Sequence, residues 1–360
     1  MRKYLAKTGV KRTWVATIVL AMCVGFLIQH ISEAKAKKSK VQYIKPTVLA
    51  VGGYIVSKDK KGVYHRILTT EPKELKKRAK EIAQFVKYNN KKKRKSLYIA
   101  VPPAVVKGQT KLISSMKDYS NGINDKMLKY VKSHSIETYD LREDFKSYPL
   151  NTVYYRNDPH WTVQSGFRAA GHIAKKVEEL FEIETDDTKY FSRTSNYKKK
   201  EYKRVFVGSY TRDGGTKLFP KTNFGIYFPK WETKYTLKGY DVKGKLKKTY
   251  KNKPFDKLIN YEYFNSKKAN PCSFFNGYVR YASITNLNSE NDTKVLLLGT
   301  SFIRTVAPYL SNYFKQVDMI TTNLTEVNVK KVADKLNPDV ILYVYTASSL
   351  HREKPLINTK

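Results

Sequence analysis

Cysteine and acidic residues are scarce in this sequence. Of 360 residues only Cys23 and Cys272 are cysteine. Cys23 lies in the N-terminal apolar stretch, so a chain cut after that stretch keeps Cys272 alone and has no intramolecular disulfide. No C-x-x-C or H-x-x-x-H spacing occurs, which leaves a clustered metal site unsupported. Asp and Glu number 31 against 69 Lys and Arg, for a formal net charge of +38 spread through the chain rather than gathered in one tail. Such a field attracts polyanions: nucleic acid, anionic lipid headgroups or acidic envelope polymers. Lysine-rich runs such as 91–95 also read as ordinary solvated surface. Disorder is excluded, because 41% apolar content with 28 Tyr and 16 Phe supplies ample packing surface. The length suits one large α/β domain or two smaller ones.

Compartment is read from the first segment. Arg2, Lys3, Lys7, Lys11 and Arg12 precede an uncharged, mostly apolar stretch at 14–29. This pattern holds the N-terminus in the cytoplasm and exports the remainder of the chain. Ala34-Lys35-Ala36 is an acceptable cleavage site, yet the apolar run is also nearly long enough to stay as a tilted anchor, and both fates remain open. Met22 before Cys23 rules out a lipoprotein signal. Residues 1–36 are thus an export signal or membrane anchor and 37–360 the extracytoplasmic part. Export largely removes nucleic acid from reach and leaves lipid headgroups and envelope polymers as polyanionic partners.

Past the export segment, residues 41–66 read as short strands with turns at Gly52-Gly53 and Lys61-Gly62. A helix follows Glu71-Pro72, with Leu75, Ala79, Ile82, Ala83, Phe85 and Val86 at helical spacing until Asn89-Asn90. The apolar run 97–101, closed by Pro102-Pro103, has the profile of a buried parallel strand. A helix at 125–132 and a strand at 136–141 complete a β-α-β pattern. A long helix at 165–181 presents Phe167, Ala170, Ile173, Ala174, Val177 and Leu180 on one side, with Thr162 as its N-cap. From 186 to 291 periodicity weakens; strand-like pieces at 204–210, 224–228 and 235–241 suggest a β-rich insertion, in which Tyr210, Tyr227 and Trp231 are candidates for stacking on sugar rings. The α/β pattern then resumes: a strand at 295–298, a helix at 304–314, a strand at 317–320, a helix at 326–336 and a strand at 340–345. Parallel strands flanked by helices are the expected architecture.

Two segments carry chemistry. Asp158-Pro159-His160-Trp161 sets a carboxylate two positions before an imidazole at the mouth of a helix. The carboxylate reaches the near ring nitrogen only if the backbone bends, and Pro159 fixes one torsion of that bend. Gly299-Thr300-Ser301 closes an apolar strand at the edge where ligands collect in open α/β sheets. Serine needs an imidazole to take its proton and a third group to orient that imidazole. The turn after the strand also aims backbone N–H groups at a developing oxyanion, with Ser301 N–H the first donor. Gly299-x-Ser301 alone reads more readily as a helix cap, and Asp158-Pro159-His160-Trp161 alone also admits a turn capping the next helix; their co-occurrence favours an enzyme.

Tyr154 to Thr162, with Gly299 to Ser301 much later in the chain, resembles the DHHW family and the related alginate O-acetylation proteins, which carry a permuted SGNH-hydrolase-like domain. Val101-Pro102-Pro103-Ala104, Phe206-Val207-Gly208-Ser209, Ala307-Pro308-Tyr309-Leu310 and Asn337-Pro338-Asp339-Val340 extend the likeness over almost everything after the export segment. The resemblance implies an SGNH-hydrolase-like, flavodoxin-like sheet carrying the 186–291 insertion. Ser301 would be the nucleophile, His160 the base and Asp158 the orienting acid. It places Pro159 where the family more often has a histidine and Thr300 where it has an aspartate. Asn276, in Phe274-Phe275-Asn276-Gly277, falls near the family's Gly-Gly-Asn and becomes an oxyanion or substrate contact; Thr300 and Arg304 join it as candidates. His351 lacks the carboxylate that unpermuted hydrolases carry three residues earlier, since Ser348 stands there. The implied activity is O-acetyl transfer to, or removal from, an envelope or extracellular polysaccharide, with a membrane-bound O-acyltransferase as acyl-supplying partner and no metal or organic cofactor. The alternative from another class is a non-catalytic module that keeps the fold and holds anionic envelope polymer on its cationic surface.

Overall fold

Alternation of apolar residues along short strands builds the core of the chain. The computed structural model describes residues 41–259, 261, 280–352 and 354–359, so residues 1–36, expected to be an export signal or anchor, Cys272 and Asn276 lie outside the described residues. Strands β1 (Val41–Lys45), β2 (Val48–Val51), β3 (Tyr54–Lys58) and β4 (Tyr64–Ile67) pair antiparallel into a small sheet in that order. Helix α1 (Leu75–Asn90), strand β5 (Lys95–Ala100), helix α2 (Ser120–Lys132) and strand β6 (Glu137–Asp140) come next, then the long helix α3 (Val163–Phe181). Strands β7 (Tyr197–Phe206) and β8 (Thr222–Pro229) form a separate antiparallel hairpin. The rest of the chain comprises β9 (Tyr235–Tyr240), β10 (Leu246–Lys253), β11 (Tyr281–Asn286), β12 (Lys294–Gly299), β13 (Gln316–Thr321), helix α4 (Val329–Leu336) and β14 (Val340–Tyr345).

Eight of these strands make the main sheet, in the order β10-β9-β11-β13-β12-β14-β5-β6. The five from β13 to β6 are parallel; β11, β9 and β10 continue the sheet antiparallel. Much of the segment read as a β-rich insertion therefore extends the main sheet, while β7 and β8 pack as a hairpin against α3. In β12, Val295 and Leu297 face one side and Leu296 and Leu298 the other. The first side is covered by α3 and residues 302–314, the second by α1, α2 and α4. Burial on both faces explains why β12, β14 and β5 read as continuous apolar runs rather than alternating ones.

Two local expectations need correction. The strand expected at 204–210 is instead the end of β7, which stops at Phe206, after which Ser209–Gly214 turns helical. Tyr210 is buried against Leu49, Val51, Val56 and Phe219 beneath the small sheet, so it cannot offer a ring face to a sugar. The helix expected at 304–314 reduces to a 3₁₀ turn, Ser301–Thr305, and one helical turn, Ala307–Leu310. Residues 302–314 are buried on all sides, with Tyr309 held among Phe167, Tyr197 and Phe255. Tertiary packing on every face removes the reason for a single amphipathic helix there.

Candidate active site

The serine is presented by the end of a central strand. In register, Gly299 of β12 lies between Thr321 of β13 and Val344 of β14, and the chain leaves β12 toward one neighbour and returns on the other. That crossing is the switch point where open α/β sheets bind ligands. Thr300 is extended, with φ −99° and ψ −171°, and Ser301 opens the 3₁₀ turn, partly exposed. Helix α3 crosses this turn closely. A Cβ on Gly166 would stand 2.4 Å from the Thr305 carbonyl oxygen, so a side chain at 166 would push the serine turn off the helix.

Asp158 and His160 are set by the bend that enters α3. Thr162 caps the helix, its Oγ1 accepting from Ser165 N–H at 3.1 Å. Tyr155 N–H donates to the His160 carbonyl at 3.2 Å and Thr162 N–H to the Val153 carbonyl at 2.8 Å, which folds residues 153–162 back on themselves. Within the bend, Asp158 Oδ1 accepts from His160 N–H at 2.9 Å and lies 2.5 Å from His160 Nδ1. His160 Nε2 lies 2.5 Å from Ser301 Oγ. Because an ionised carboxylate only accepts, Nδ1 carries the proton and Nε2 is left to receive the serine hydroxyl. The three side chains form one hydrogen-bonded line, in which His160 and Ser301 are 141 residues apart in sequence.

Trp161 locks the two segments together. Its ring is fully buried, and Nε1–H points to the Phe302 carbonyl at 3.1 Å and to Thr305 Oγ1 at 2.9 Å. Phe302 in turn lies against His160, with ring centroids 5.0 Å apart. The indole is thus an internal brace between His160 and the serine turn.

Asp158 is almost completely buried. Burial alone would raise its pKa; the adjoining His160 ring, its hydrogen bond and the N–H groups of Ser209 and His160 outweigh that and hold the carboxyl below the usual range. Ser209 N–H donates to Asp158 Oδ2 at 2.7 Å from the start of the short helix Ser209–Gly214. This approach requires glycine next door: a Cβ on Gly208 would fall 2.0 Å from the Asn157 carbonyl oxygen and 2.7 Å from Asp158 Cβ.

Ser301, His160 and Asp158 are brought together. Thr300 is adjacent and buried, and its Oγ1 has no hydrogen-bond partner among the described residues. Arg304 is also buried. Sequence reasoning missed Asn157, which stands between Arg156 and Asp158. Its buried amide donates to the Phe206 carbonyl at 3.2 Å and Thr211 Oγ1 at 2.9 Å, and its Oδ1 accepts from Thr222 Oγ1 at 3.1 Å. The signal available was its place between two motif residues at a turn, where asparagine is favoured. Among the described residues no group of three or more His, Cys, Asp or Glu is arranged to hold a metal ion, and no helix is long and apolar enough to cross a membrane.

Comparison with known proteins agrees with the resemblance read from the motifs. Residues 64–208 match the family described as the SGNH hydrolase-like domain of acetyltransferase AlgX, a span that contains Asp158 and His160 and ends before Ser301. No curated protein matches the chain. Among solved structures, Bacillus cereus PatB1 carrying a sulfonyl adduct aligns over 85% of this chain and 98% of its own, at 19% identity and a TM-score of 0.65. A DHHW family protein from Eubacterium siraeum aligns over 86% of this chain and 96% of its own, at 15% identity and a TM-score of 0.61. The chain therefore has the SGNH-hydrolase-like fold, a mixed α/β structure with a large, mainly parallel sheet flanked by helices, and residues 64–208 are its ALGX-like part.

Proposed function

We propose that the chain is an extracytoplasmic serine-dependent O-acetyltransferase or acetylesterase acting on an envelope or extracellular polysaccharide. The observation that carries this reading is the line from Asp158 through His160 to Ser301, with both contacts at 2.5 Å. The acetyltransferase named by the family match to residues 64–208 supports acetyl as the group moved.

In this mechanism Ser301 Oγ attacks the carbonyl carbon of an O-acetyl ester while His160 Nε2 takes the hydroxyl proton. The oxyanion is received by Ser301 N–H, with Thr300, Arg304 and Asn276 the further candidates for oxyanion or substrate contact. Collapse breaks the ester C–O bond, His160 returns the proton to the leaving alkoxide, and acetyl-Ser301 remains. An acceptor hydroxyl, or water, then gives its proton to His160 and attacks the acetyl carbon. The second collapse breaks the Ser301 ester and reprotonates Ser301. Transfer and hydrolysis differ only in the acceptor. Buried Asp158 holds Nδ1–H throughout and offsets the charge on the imidazolium.

Transfer needs an acyl source, for which a membrane-bound O-acyltransferase beside an exported chain is the expected partner. The test is acetate release from p-nitrophenyl acetate and from an acetylated glycan by the wild type and Ser301→Ala. Because PatB1, which shares the fold, has been seen with a sulfonyl adduct, a sulfonyl fluoride is a fitting second probe; mass spectrometry should find one adduct on the wild type and none on Ser301→Ala. Equal inertness of both proteins toward all three reagents would refute the enzymatic reading in favour of a non-catalytic polymer-binding module.

A further inference from the structure

Of the rings that the sequence offers to sugars, the fold withdraws two. Tyr210 is buried, and Tyr227 packs against Phe167 and Tyr197 with centroids 4.9 and 6.3 Å away. Trp231 remains. It follows β8 and lines a cavity of about 420 Å³ together with Phe228, Glu232, Asn252, Phe255 and Asp256.

The two described tryptophans are used differently. Trp161 is fully buried and gives its indole N–H to two oxygens. Trp231 is partly exposed; it rests on Phe191 and Tyr197, each 5.0 Å away, and its Nε1–H has no hydrogen-bond partner among the described residues. Tyr190, 39% exposed, stands edge-on to it at 5.5 Å. An indole braced on one side, open on the other and with its N–H unspent suits a ligand better than a core. Opposite it, the pairing of β10 with β9 shifts register between Tyr250 and Lys253, and Asn252 adopts φ +50°. Such a bulge re-aims a side chain, and the exposed Asn252 amide is also without a partner among the described residues.

Charge narrows the ligand. In a chain of net charge +38, this wall carries two carboxylates, Glu232 and Asp256, and one cation, Lys234. Glu232 meets Lys234 at 2.9 Å, and Asp256 meets Lys257 at 3.6 Å. A polyanion gains nothing from such a wall, whereas sugar hydroxyls find acceptors in the carboxylates and the amide and a donor in the indole.

The place is remote from Ser301. Thr236, Thr285, Gln316 and Lys294 form one row across β9, β11, β13 and β12, and Lys253 pairs with Tyr235 just beyond it. The cavity lies at that edge of the main sheet. Gly299 is five residues further along β12, roughly 17 Å away, and Ser301 leaves the opposite edge.

We propose that this cavity is a second carbohydrate site, separate from the triad, and that it takes an uncharged sugar chain. One pyranose ring lies on Trp231 while Asn252 and Asp256 receive its hydroxyls. A polymer held there keeps its other stretches at high local concentration around the enzyme. The site does not depend on the acyl-transfer reading.

The test measures binding without turnover. The full chain carrying Ser301→Ala is titrated with cellohexaose, chitohexaose and oligogalacturonate by calorimetry, with acrylamide quenching of tryptophan fluorescence alongside. At least one neutral oligomer should bind and shield a tryptophan from acrylamide; the tighter of the two tells whether N-acetyl groups are recognised. Adding Trp231→Ala should remove the shielding and weaken binding about tenfold. Asn252→Gly deletes the amide at a backbone conformation that glycine accepts. It should weaken binding about threefold, and it decides the matter if Trp231→Ala loosens the packing on Phe191 and Tyr197. Neutral oligomers that fail to bind, or that bind both variants as tightly as the parent, overturn the proposal. Shielding by oligogalacturonate alone overturns it as well.

Discussion

Asp158→Asn separates an orienting acid from a helix-entry cap. Asp158 serves three donors with two oxygens: His160 Nδ1 at 2.5 Å and His160 N–H at 2.9 Å on Oδ1, and Ser209 N–H at 2.7 Å on Oδ2. Asparagine has one acceptor oxygen. If that oxygen stays on the His160 side, its NH₂ faces Ser209 N–H, donor against donor, and a buried N–H loses its partner at a cost of about 1–3 kcal/mol. If the amide turns over, its NH₂ donates to Nδ1, moves the imidazole proton to Nε2 and leaves no lone pair for Ser301. Loss of the carboxylate from such an arrangement lowers kcat roughly 10⁴-fold, about 5.5 kcal/mol of barrier.

The assay is steady-state hydrolysis of p-nitrophenyl acetate, paired with thermal melting. We expect a loss of three to four orders of magnitude in kcat, as order-of-magnitude values, with a melting decrease no larger than one buried unpaired donor accounts for. A variant with near-normal kcat and a much lower melting temperature would refute the reasoning. It would mean that Asp158 serves the bend before α3 and that its contact with His160 is incidental.

Other consequences are checked with the same two measurements. His160→Ala should abolish ester cleavage with little change in melting, since the ring sits at the edge of the site with its side chain 17% exposed. Trp161→Phe removes the indole N–H shared by the Phe302 carbonyl and Thr305 Oγ1, which keep their mutual bond at 3.2 Å; it should cost about 0.5–1.5 kcal/mol and lower kcat by loosening the serine turn. Gly208→Ala forces a Cβ into the Asn157 carbonyl and should lower both melting temperature and kcat. The depressed pKa of Asp158 also makes a pH prediction. A carboxyl whose folded pKa lies below its unfolded value stabilises the fold above the unfolded pKa, about 3.9 for aspartate, and loses that contribution as pH falls through the folded value. The melting gap between wild type and Asp158→Asn should therefore be widest near neutrality and close below about pH 4; a gap that widens on acidification would contradict the assigned charge state.

The parallel half of the sheet was legible because strands buried on both faces are written as unbroken apolar runs, as in β5, β12 and β14. The first strand of the hairpin was largely not, because Lys198, Lys199 and Lys200 in β7 turn outward and a lysine-rich stretch looks like loop, whereas β8 was legible at 224–228. The 302–314 segment misled for the opposite reason: burial on every face erased the periodicity that distinguishes helix from irregular packing. Asp158, His160 and Ser301 were legible because each stands in a short motif with a chemical rationale. Asn157 and Ser209 were not, since one acts through its amide and the other through backbone N–H, and neither role leaves a residue type that demands notice.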